Sequence, residues 1–148
     1  MKVLIQRVKT AKVEVAERKL SEIGKGLLIL LGVTGTDSEA DIQFLVEKII
    51  NLRIFEDQAG KMNHSLIDIK GEVLIVSQFT LYADCRKGRR PSFTDAAPPE
   101  MAHELYKKFI QKFKETGVKI GEGEFGAMMD VSLVNWGPVT IMLDTKQL

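Results

Sequence analysis

The sequence predicts an α+β fold, in which a mainly antiparallel, barrel-like sheet is covered by two helices. Short apolar segments with strand-like patterning occur in three groups, and two segments with helical periodicity lie between those groups. This order of strands, helix, strands, helix and strands argues for the α+β class. Because we find no internal repeat, low-complexity tract or linker, we expect one domain over residues 1–148.

The beginning of the chain predicts three strands. Apolar and polar residues alternate at residues 3–8 and again at residues 13–15, which indicates two short strands. Residues 16–25 are charged and turn-rich. Residues 26–33 form an apolar run beside glycines, as expected of a buried central strand.

Each predicted helix has signals at its ends. The first begins at Asp37 or Ser38, either of which can cap it, and runs to about Leu52. The second begins at the Pro98–Pro99 pair, because proline is tolerated in a first helical turn, and ends at Gly117. Apolar residues spaced three to four apart give each helix one face that faces the core.

The remaining strands lie between and after these helices. Residues 57–69 are polar and predict a loop or a hairpin, whereas residues 71–80 carry the strongest strand signal in the chain. Further strands are predicted around residues 118–120, 128–134 and 139–144.

Composition limits the function classes. The chain has 148 residues and a formal net charge of +1, which gives no global signal for binding a polyanion. Its one cysteine, Cys85, excludes an intrachain disulfide and suits a reducing cytoplasm. No apolar run has the length of a signal peptide or a membrane span, so we expect a cytoplasmic protein without membrane contact.

The usual side chains of acid–base or metal catalysis are lacking. His64 and His103 lie in no recognisable triad or metal-binding spacing. Cys85 has basic neighbours but no clear base, which is more typical of a structural cysteine. Residues 121–126 match G-x-G-x-x-G but follow no long strand and open no helix, so they do not indicate a dinucleotide site. We expect neither a metal nor a cofactor.

The segment SQFTLY, residues 77–82, ends the strongest strand with hydroxyls, an amide side chain and little charge. One interpretation is a strand end whose hydroxyls bond to backbone. The other is an oxyanion-type site, in which backbone N–H groups and Gln78 stabilise charge on an ester carbonyl. Phe79 offers a flat face for stacking of a nucleobase. Thr80 lacks a nearby general base that would activate its hydroxyl as a nucleophile. As a strand, the segment would present Ser77, Phe79 and Leu81 on one face and Gln78, Thr80 and Tyr82 on the other.

The segment NWGPVT, residues 135–140, places a Gly-Pro corner in a strand-like run. Pro138 donates no ladder hydrogen bond and Gly137 permits close backbone approach, so the segment is either an edge turn or a pre-set selectivity element. Asn135 suits turn hydrogen bonding, whereas the motif leaves Trp136 unexplained.

A basic run, RKGRR, follows SQFTLY closely. It supplies Arg86, Lys87, Arg89 and Arg90. Such a run is commonly a solvated loop. Its functional interpretation is contact with phosphate groups, because guanidinium groups bind phosphate bidentately.

Taken together, VSQFTLYAD, KGRRPSF, GEFGAMM and NWGPVT resemble the D-aminoacyl-tRNA deacylase family, and the likeness covers essentially the whole chain. The resemblance implies a hydrolase that cleaves the ester between a D-amino acid and the 3′ end of tRNA and frees both. It also implies a homodimer with active sites at the subunit interface. The Gly137–Pro138 bond would be cis and would reach into the partner's pocket. There its two carbonyl oxygens would hold the amino group and leave no room for an L side chain, although glycine would enter.

The resemblance also implies the site residues. The residues implied in catalysis are Thr80, Ser77 and Gln78, and the substrate would contact Phe79, Gly137 and Pro138. Near the terminal adenosine the resemblance places Phe125, Gly126, Ala127 and Met129. Either Thr80 is the nucleophile or the terminal 2′-hydroxyl of the tRNA helps to activate water, and the lack of a base beside Thr80 favours the second mechanism. Trp136 is bulkier than the acidic or polar residue expected before the Gly-Pro pair.

Three other functions stay open at this point. The first is a non-catalytic tRNA- or RNA-binding module that uses the basic run. The second is a hydrolase of small esters that acts through Thr80 or Cys85. The third is a structural homodimer.

Overall fold

The structure, a computed structural model, describes residues 1–147 and contains eight strands, two α-helices and one short 3₁₀ helix. The predicted α+β class, with two helices on a nearly closed, barrel-like sheet, is confirmed. The strands are β1 (Lys2–Val15), β2 (Arg18–Ile23), β3 (Gly26–Gly32), β4 (Phe55–Glu56), β5 (Met62–His64), β6 (Glu72–Ser77), β7 (Ile120–Glu122) and β8 (Asp130–Asp144). The helices are α1 (Glu39–Asn51), α2 (Pro99–Glu115) and the 3₁₀ helix Phe79–Tyr82.

Strand β1 holds the sheet together. Its first half pairs antiparallel with β3 and its second half with β2, while β8 pairs along its opposite edge. The prediction of two separate strands in this region is wrong, because β1 runs without a break from Lys2 to Val15. The polar residues Lys9 and Thr10 interrupt the apolar alternation, yet β8 keeps this part of the chain extended by pairing Thr10 with Val134.

The segment predicted as a charged turn contains strand β2. Ala16 and Glu17 both have positive φ angles, 48° and 64°, and join β1 to β2 as a tight hairpin. Two consecutive positive φ values belong to the turn type that favours strand twist, which is normally marked by asparagine, aspartate or glycine. Because neither residue belongs to these types, the sequence carries no ordinary signal for this hairpin.

Two pairings of the sheet are parallel. Strand β3 pairs parallel with β6, and β6 pairs parallel with β7, so the sheet is mixed. The three pairings of β1 are antiparallel, which makes the sheet mainly antiparallel, as predicted. The free edges of β2 and β7 meet through Ser21. The Ser21 hydroxyl donates to the Glu122 carbonyl at 2.9 Å and accepts from the Glu122 N–H at 3.1 Å. This contact brings the sheet close to a closed barrel.

Both predicted helices form with nearly the expected bounds. Ser38 precedes α1, and the Asp41 carboxylate accepts a hydrogen bond from the Ser38 N–H at 2.8 Å. Helix α2 begins at Pro99 and is followed by Gly117, whose φ is +78°. Both helices cover one face of the sheet, where α2 buries Phe109 completely, and a second apolar cluster fills the opposite face. Within residues 1–147, neither helix has the length and apolar character that crossing a membrane requires.

We predict that Gly26→Ala destabilises the protein by about 3 kcal/mol or more, because overpacking at a site that cannot move aside carries a cost of this order. A Cβ at Gly26 would lie 1.8 Å from the carbonyl oxygen of Glu72, in the backbone with which β3 pairs. Guanidinium chloride unfolding would measure the change. Gly24→Ala is the matched control, since a Cβ there meets no atom within 4 Å. Equal stability of the two variants would contradict the prediction.

Candidate functional site

The candidate site lies where β3 and β6 end side by side. The two strands are parallel, so their carboxyl ends meet at one edge of the sheet, with Leu31 beside Ser77. The Gln78 N–H still donates to the Leu31 carbonyl at 2.7 Å. The chain then turns into the 3₁₀ helix. The strand predicted over residues 71–80 therefore ends at Ser77, and the alternating faces that residues 77–82 would have as a strand do not form.

This turn leaves two backbone donors free. The N–H groups of Phe79 and Thr80 have no acceptor among residues 1–147, since the first bond of the turn runs from the Leu81 N–H to the Gln78 carbonyl at 3.2 Å. The turn packs closely on Gly32, where an added Cβ would lie 3.1 Å from the Gln78 carbonyl oxygen. Close packing on a glycine thus holds two unpaired donors at the strand end.

A cavity of about 540 Å³ opens at this edge of the sheet. It brings together five of the predicted site residues, namely Ser77, Gln78, Phe79, Phe125 and Gly126. The other wall was not predicted from the sequence. It comes from the segment before α2 and from α2 itself and includes Phe93, Thr94, Ala96, Ala97, Pro98, Pro99, Ala102 and Tyr106. The sequence signal for Phe93 is its place in the segment PSF, residues 91–93, which directly follows the basic run.

Aromatic rings flank the cavity on two sides. Phe79 and Phe93 meet edge to face with ring centroids 5.0 Å apart. Phe125 stacks on His103 with centroids 4.6 Å apart and planes 15° apart, and it also contacts Tyr106. The cavity therefore offers apolar, flat surfaces of the kind that a nucleobase stacks on.

Tyr106 ties α2 to the strand that ends in the site. Its hydroxyl is buried and donates to the Ile75 carbonyl at 2.9 Å. Burial, and to a lesser extent the charge of Glu122, raises the pKa of the Tyr106 hydroxyl above its usual range. The hydroxyl is therefore a neutral structural donor near neutral pH.

Three of the predicted pocket residues do not line the cavity. Thr80 is exposed, and its hydroxyl accepts a hydrogen bond from the Gln78 side chain, which is its one side-chain partner among residues 1–147. Ala127 closes a turn on the Glu124 carbonyl at 3.2 Å. Met129 packs on the second apolar cluster, away from the cavity wall.

The predicted Gly-Pro corner is an insertion in strand β8. Asn135 pairs with Val8 and Thr140 pairs with Gln6, so four residues lie opposite Arg7 alone. The Gly137–Pro138 bond is cis, as the resemblance implied, and both residues are exposed.

Asn135 closes this corner. Its side-chain oxygen accepts from the Val139 N–H at 2.8 Å, and its amide group donates to the Val139 carbonyl at 3.3 Å. At Gly137 φ is +143°, and a Cβ would lie 2.8 Å from the Val139 side chain, so glycine is required there.

A buried arginine holds the corner against the sheet. The Arg7 Nε donates to the Trp136 carbonyl at 2.6 Å, and its Nη1 donates to the Ile54 carbonyl at 2.7 Å. The guanidinium lies 3.6 Å from the Glu56 carboxylate and 4.9 Å from the centre of the Trp136 ring. Trp136, which the motif left unexplained, therefore covers the buried charge.

Within one chain the corner and the cavity lie far apart. The corner is opposite Arg7, which pairs with Leu27 at the start of β3, whereas the cavity begins at Leu31. Four residues at about 3.3 Å each give about 13 Å along the strands, and the two strand spacings from β8 to β3 add about 10 Å across the sheet. Consistent with this separation, the corner contributes no residue to the cavity lining.

The basic run forms a hairpin-like loop next to the cavity. Backbone hydrogen bonds join Asp84 and Ser92 at 2.8 and 2.9 Å, and Phe93 follows directly. Arg86 forms a bidentate ion pair with Asp84 and lowers the pKa of that carboxyl to about 2. Residues 1–147 as a whole, including this loop, contain no cluster of three or more histidine, cysteine or acidic residues with the geometry of a metal site.

Comparison with known families decides the classification. Residues 4–144 match the model of the family described as D-Tyr-tRNA(Tyr) deacylase. The chain belongs to this family. A D-aminoacyl-tRNA deacylase of Thermosipho africanus is 60% identical over 147 residues, covering 99% of both chains, and one of Aquifex aeolicus is 56% identical over 148 residues, covering all of both. The predicted enzyme class, an ester hydrolase that acts on aminoacyl-tRNA, is thereby confirmed.

Two solved structures resemble the fold. One, titled c-Myc DNA Unwinding Element Binding Protein, has a TM-score of 0.92 and 42% identity and covers 98% of this chain and 99% of its own. A probable eukaryotic D-amino acid tRNA deacylase has a TM-score of 0.85 at 18% identity, covering 96% of this chain and 97% of its own, which supports the fold alone.

We predict that Arg7→Lys lowers the free energy of unfolding by about 2–3 kcal/mol. An ammonium group cannot bond both the Trp136 and the Ile54 carbonyls in the geometry of the guanidinium, and a hydrogen bond to a charged group is worth about 1.5–3 kcal/mol. Denaturant unfolding would measure the loss. Arg18→Lys is the control, because the Arg18 side chain is 70% exposed. A loss at Arg7 no larger than that at Arg18 would contradict the bracing role.

Proposed function

We propose that this enzyme hydrolyses the ester that joins a D-amino acid, or glycine, to the 3′ end of tRNA, and that it rejects L-aminoacyl-tRNA. The proposal depends most on one observation: a turn whose Phe79 and Thr80 N–H groups are unpaired borders a cavity with aromatic walls. The Thr80 hydroxyl beside this cavity has no base bonded to it. Family membership supplies the aminoacyl-tRNA chemistry. The reaction takes place in the cytoplasm, frees the amino acid and returns the tRNA for recharging.

The cavity suits the end of an aminoacyl-tRNA. Phe79 and Phe125, which both line the cavity, offer ring faces to the terminal adenosine. The free N–H groups of Phe79 and Thr80 would then lie beside the ester carbonyl, with the Gln78 amide close by. Such preorganised donors stabilise the negative charge that develops on the carbonyl oxygen in the transition state.

The attacking group is water rather than the Thr80 hydroxyl. Water adds to the ester carbonyl, the resulting oxyanion collapses, and the 3′-oxygen of the ribose leaves and takes up a proton. The Thr80 hydroxyl already accepts a hydrogen bond from Gln78 and has no histidine or lysine bonded to it in the described chain. The neighbouring 2′-hydroxyl of the tRNA helps to activate the water.

The Gly137–Pro138 corner supplies the chirality filter from a second subunit. A corner that acted on its own chain's cavity would have to span the length of the strands. In a homodimer, the carbonyl oxygens of Gly137 and Pro138 would hold the substrate amino group in the partner's cavity and exclude an L side chain. Two features support the dimer: among the described residues β8 pairs only with β1, along one edge, and Val134, Met142 and Met128 are exposed.

A nucleic-acid-binding module without catalysis is the second candidate. The observation that favours it is the solved relative at 42% identity, whose title describes binding to a DNA unwinding element. The basic run and the aromatic walls would serve such a role as well as they serve an enzyme.

We predict rapid deacylation of D-Tyr-tRNA and Gly-tRNA by the purified protein, with L-Tyr-tRNA cleaved at least roughly 100-fold more slowly, a difference of about 2.7 kcal/mol. The excluded L side chain is the physical reason. Release of labelled amino acid would be measured without added metal. Equal cleavage of the D and L substrates would discard the filter, and binding without release would favour the second candidate.

Two variants in the same assay separate the side-chain mechanisms. Thr80→Ala should keep activity within about tenfold, because the proposed attacking group is water. Removing a true nucleophile would instead cost on the order of a million-fold. Cys85→Ala should behave like the wild type, since Cys85 is exposed and outside the cavity lining. Loss of activity in either variant, with folding and tRNA binding intact, would assign that side chain to the chemistry.

We predict that cysteines at Thr94, in the cavity, and at Thr140, beside the corner, become joined between two subunits by a short bismaleimide linker. The Cys85→Ser background removes the natural thiol. A band at twice the 16.6 kDa chain mass should appear with the double variant. The two single-cysteine variants are the controls. A monomeric product from the double variant would contradict a shared site.

A further inference from the structure

The basic loop, residues 84–92, is a structured projection. Backbone hydrogen bonds between Asp84 and Ser92 close its base at 2.8 and 2.9 Å, and Gly88 turns its tip with φ of +69°. The four cations of the run all lie between these paired residues. The hairpin-like pairing of Asp84 with Ser92 therefore fixes how far these cations stand from the closed end of the loop.

The four cations are not equivalent. Arg86 is held by Asp84 through three hydrogen bonds, from the backbone N–H at 3.0 Å, from Nε at 2.8 Å and from Nη2 at 2.7 Å. Lys87, Arg89 and Arg90 are exposed, and none lies within 4.0 Å of a carboxylate among the described residues. Only these three cations are available without breaking an existing ion pair.

The loop stands at the rim of the cavity. Phe93 follows the closing residue Ser92 and packs edge to face on Phe79, and both rings line the cavity. A ligand held there by its 3′-terminal adenosine would carry its preceding phosphates out past the loop. Guanidinium and ammonium groups at that position match phosphate oxygens in charge and in hydrogen-bonding geometry.

From this arrangement we infer that Lys87, Arg89 and Arg90 contact RNA phosphates next to the 3′ end, and that Asp84 withholds Arg86 from them. The inference rests on the proposed function, because the aminoacyl-tRNA end defines which phosphates lie near the loop. Asp84 thereby sets the number of phosphate contacts at three. A loop with four free cations would bind RNA more tightly and would depend more steeply on salt.

The test measures binding of uncharged tRNA at a series of salt concentrations. Each phosphate contact contributes about 0.7–0.9 to the slope of log K against log salt. Lys87→Gln, Arg89→Gln and Arg90→Gln should each make the slope shallower by about that amount. Arg86→Gln should leave it unchanged. A shallower slope for Arg86→Gln, with the Ser92 amide still protected from hydrogen exchange, would overturn the inference, as would unchanged slopes for all three others.

Asp84→Asn tests the withholding directly. Asparagine keeps an oxygen acceptor for the Arg86 N–H but releases the guanidinium, so the slope should become steeper by about 0.7–0.9. An unchanged slope would overturn the role of Asp84. Uncharged tRNA carries no amino acid and therefore has no aminoacyl ester to hydrolyse. Failure of this binding test is thus distinct from failure of the proposed hydrolysis, which the deacylation assay measures with the wild-type protein.

Discussion

The buried guanidinium of Arg7 is the interaction on which the arrangement of this molecule depends. A buried charge is tolerated only when hydrogen-bond partners replace the lost water. Arg7 finds them in the Trp136 carbonyl of β8 and the Ile54 carbonyl before β4, so one side chain of β1 joins three separate segments. Because four residues of β8 lie opposite Arg7 with no other strand partner, this side chain replaces the missing ladder bonds and holds the Gly-Pro corner in place.

At the other end of the sheet, the candidate site is built from backbone instead of reactive side chains. The chain leaves β6 at Ser77 and turns at once, because Gly32 lets the 3₁₀ turn pack against β3. That turn leaves the N–H groups of Phe79 and Thr80 unpaired. A backbone donor cannot be titrated, so near-neutral pH does not change its ability to stabilise an oxyanion. A site of this kind needs no catalytic histidine or cysteine, and His64, His103 and Cys85 lie in no catalytic pattern in the sequence.

Local signals predicted most of the fold, whereas long-range contacts determined what they missed. The helices α1 and α2 and the buried strand β3 follow from periodicity and end signals within each segment. The continuity of β1 and the hairpin at Ala16–Glu17 depend on pairing with β8 and on φ angles that the residue types do not announce. In the site, the motif located Ser77, Gln78 and Phe79, but the wall from α2 and the separation between cavity and corner became visible only in three dimensions.

That separation has a consequence for selectivity under the proposed function. The N–H donors proposed to promote hydrolysis and the Gly137 and Pro138 carbonyls proposed to exclude an L side chain lie at opposite ends of one chain's sheet. A lone subunit would therefore contain a cavity without a chirality filter. In the proposed homodimer, the corner of one subunit completes the cavity of the other. Selectivity would then depend on assembly of the dimer. Arg7 then has a second role, since the precision with which it holds Trp136 fixes where the next two residues project. A rigid backbone corner discriminates by shape and has no side chain that could move aside for an L substrate.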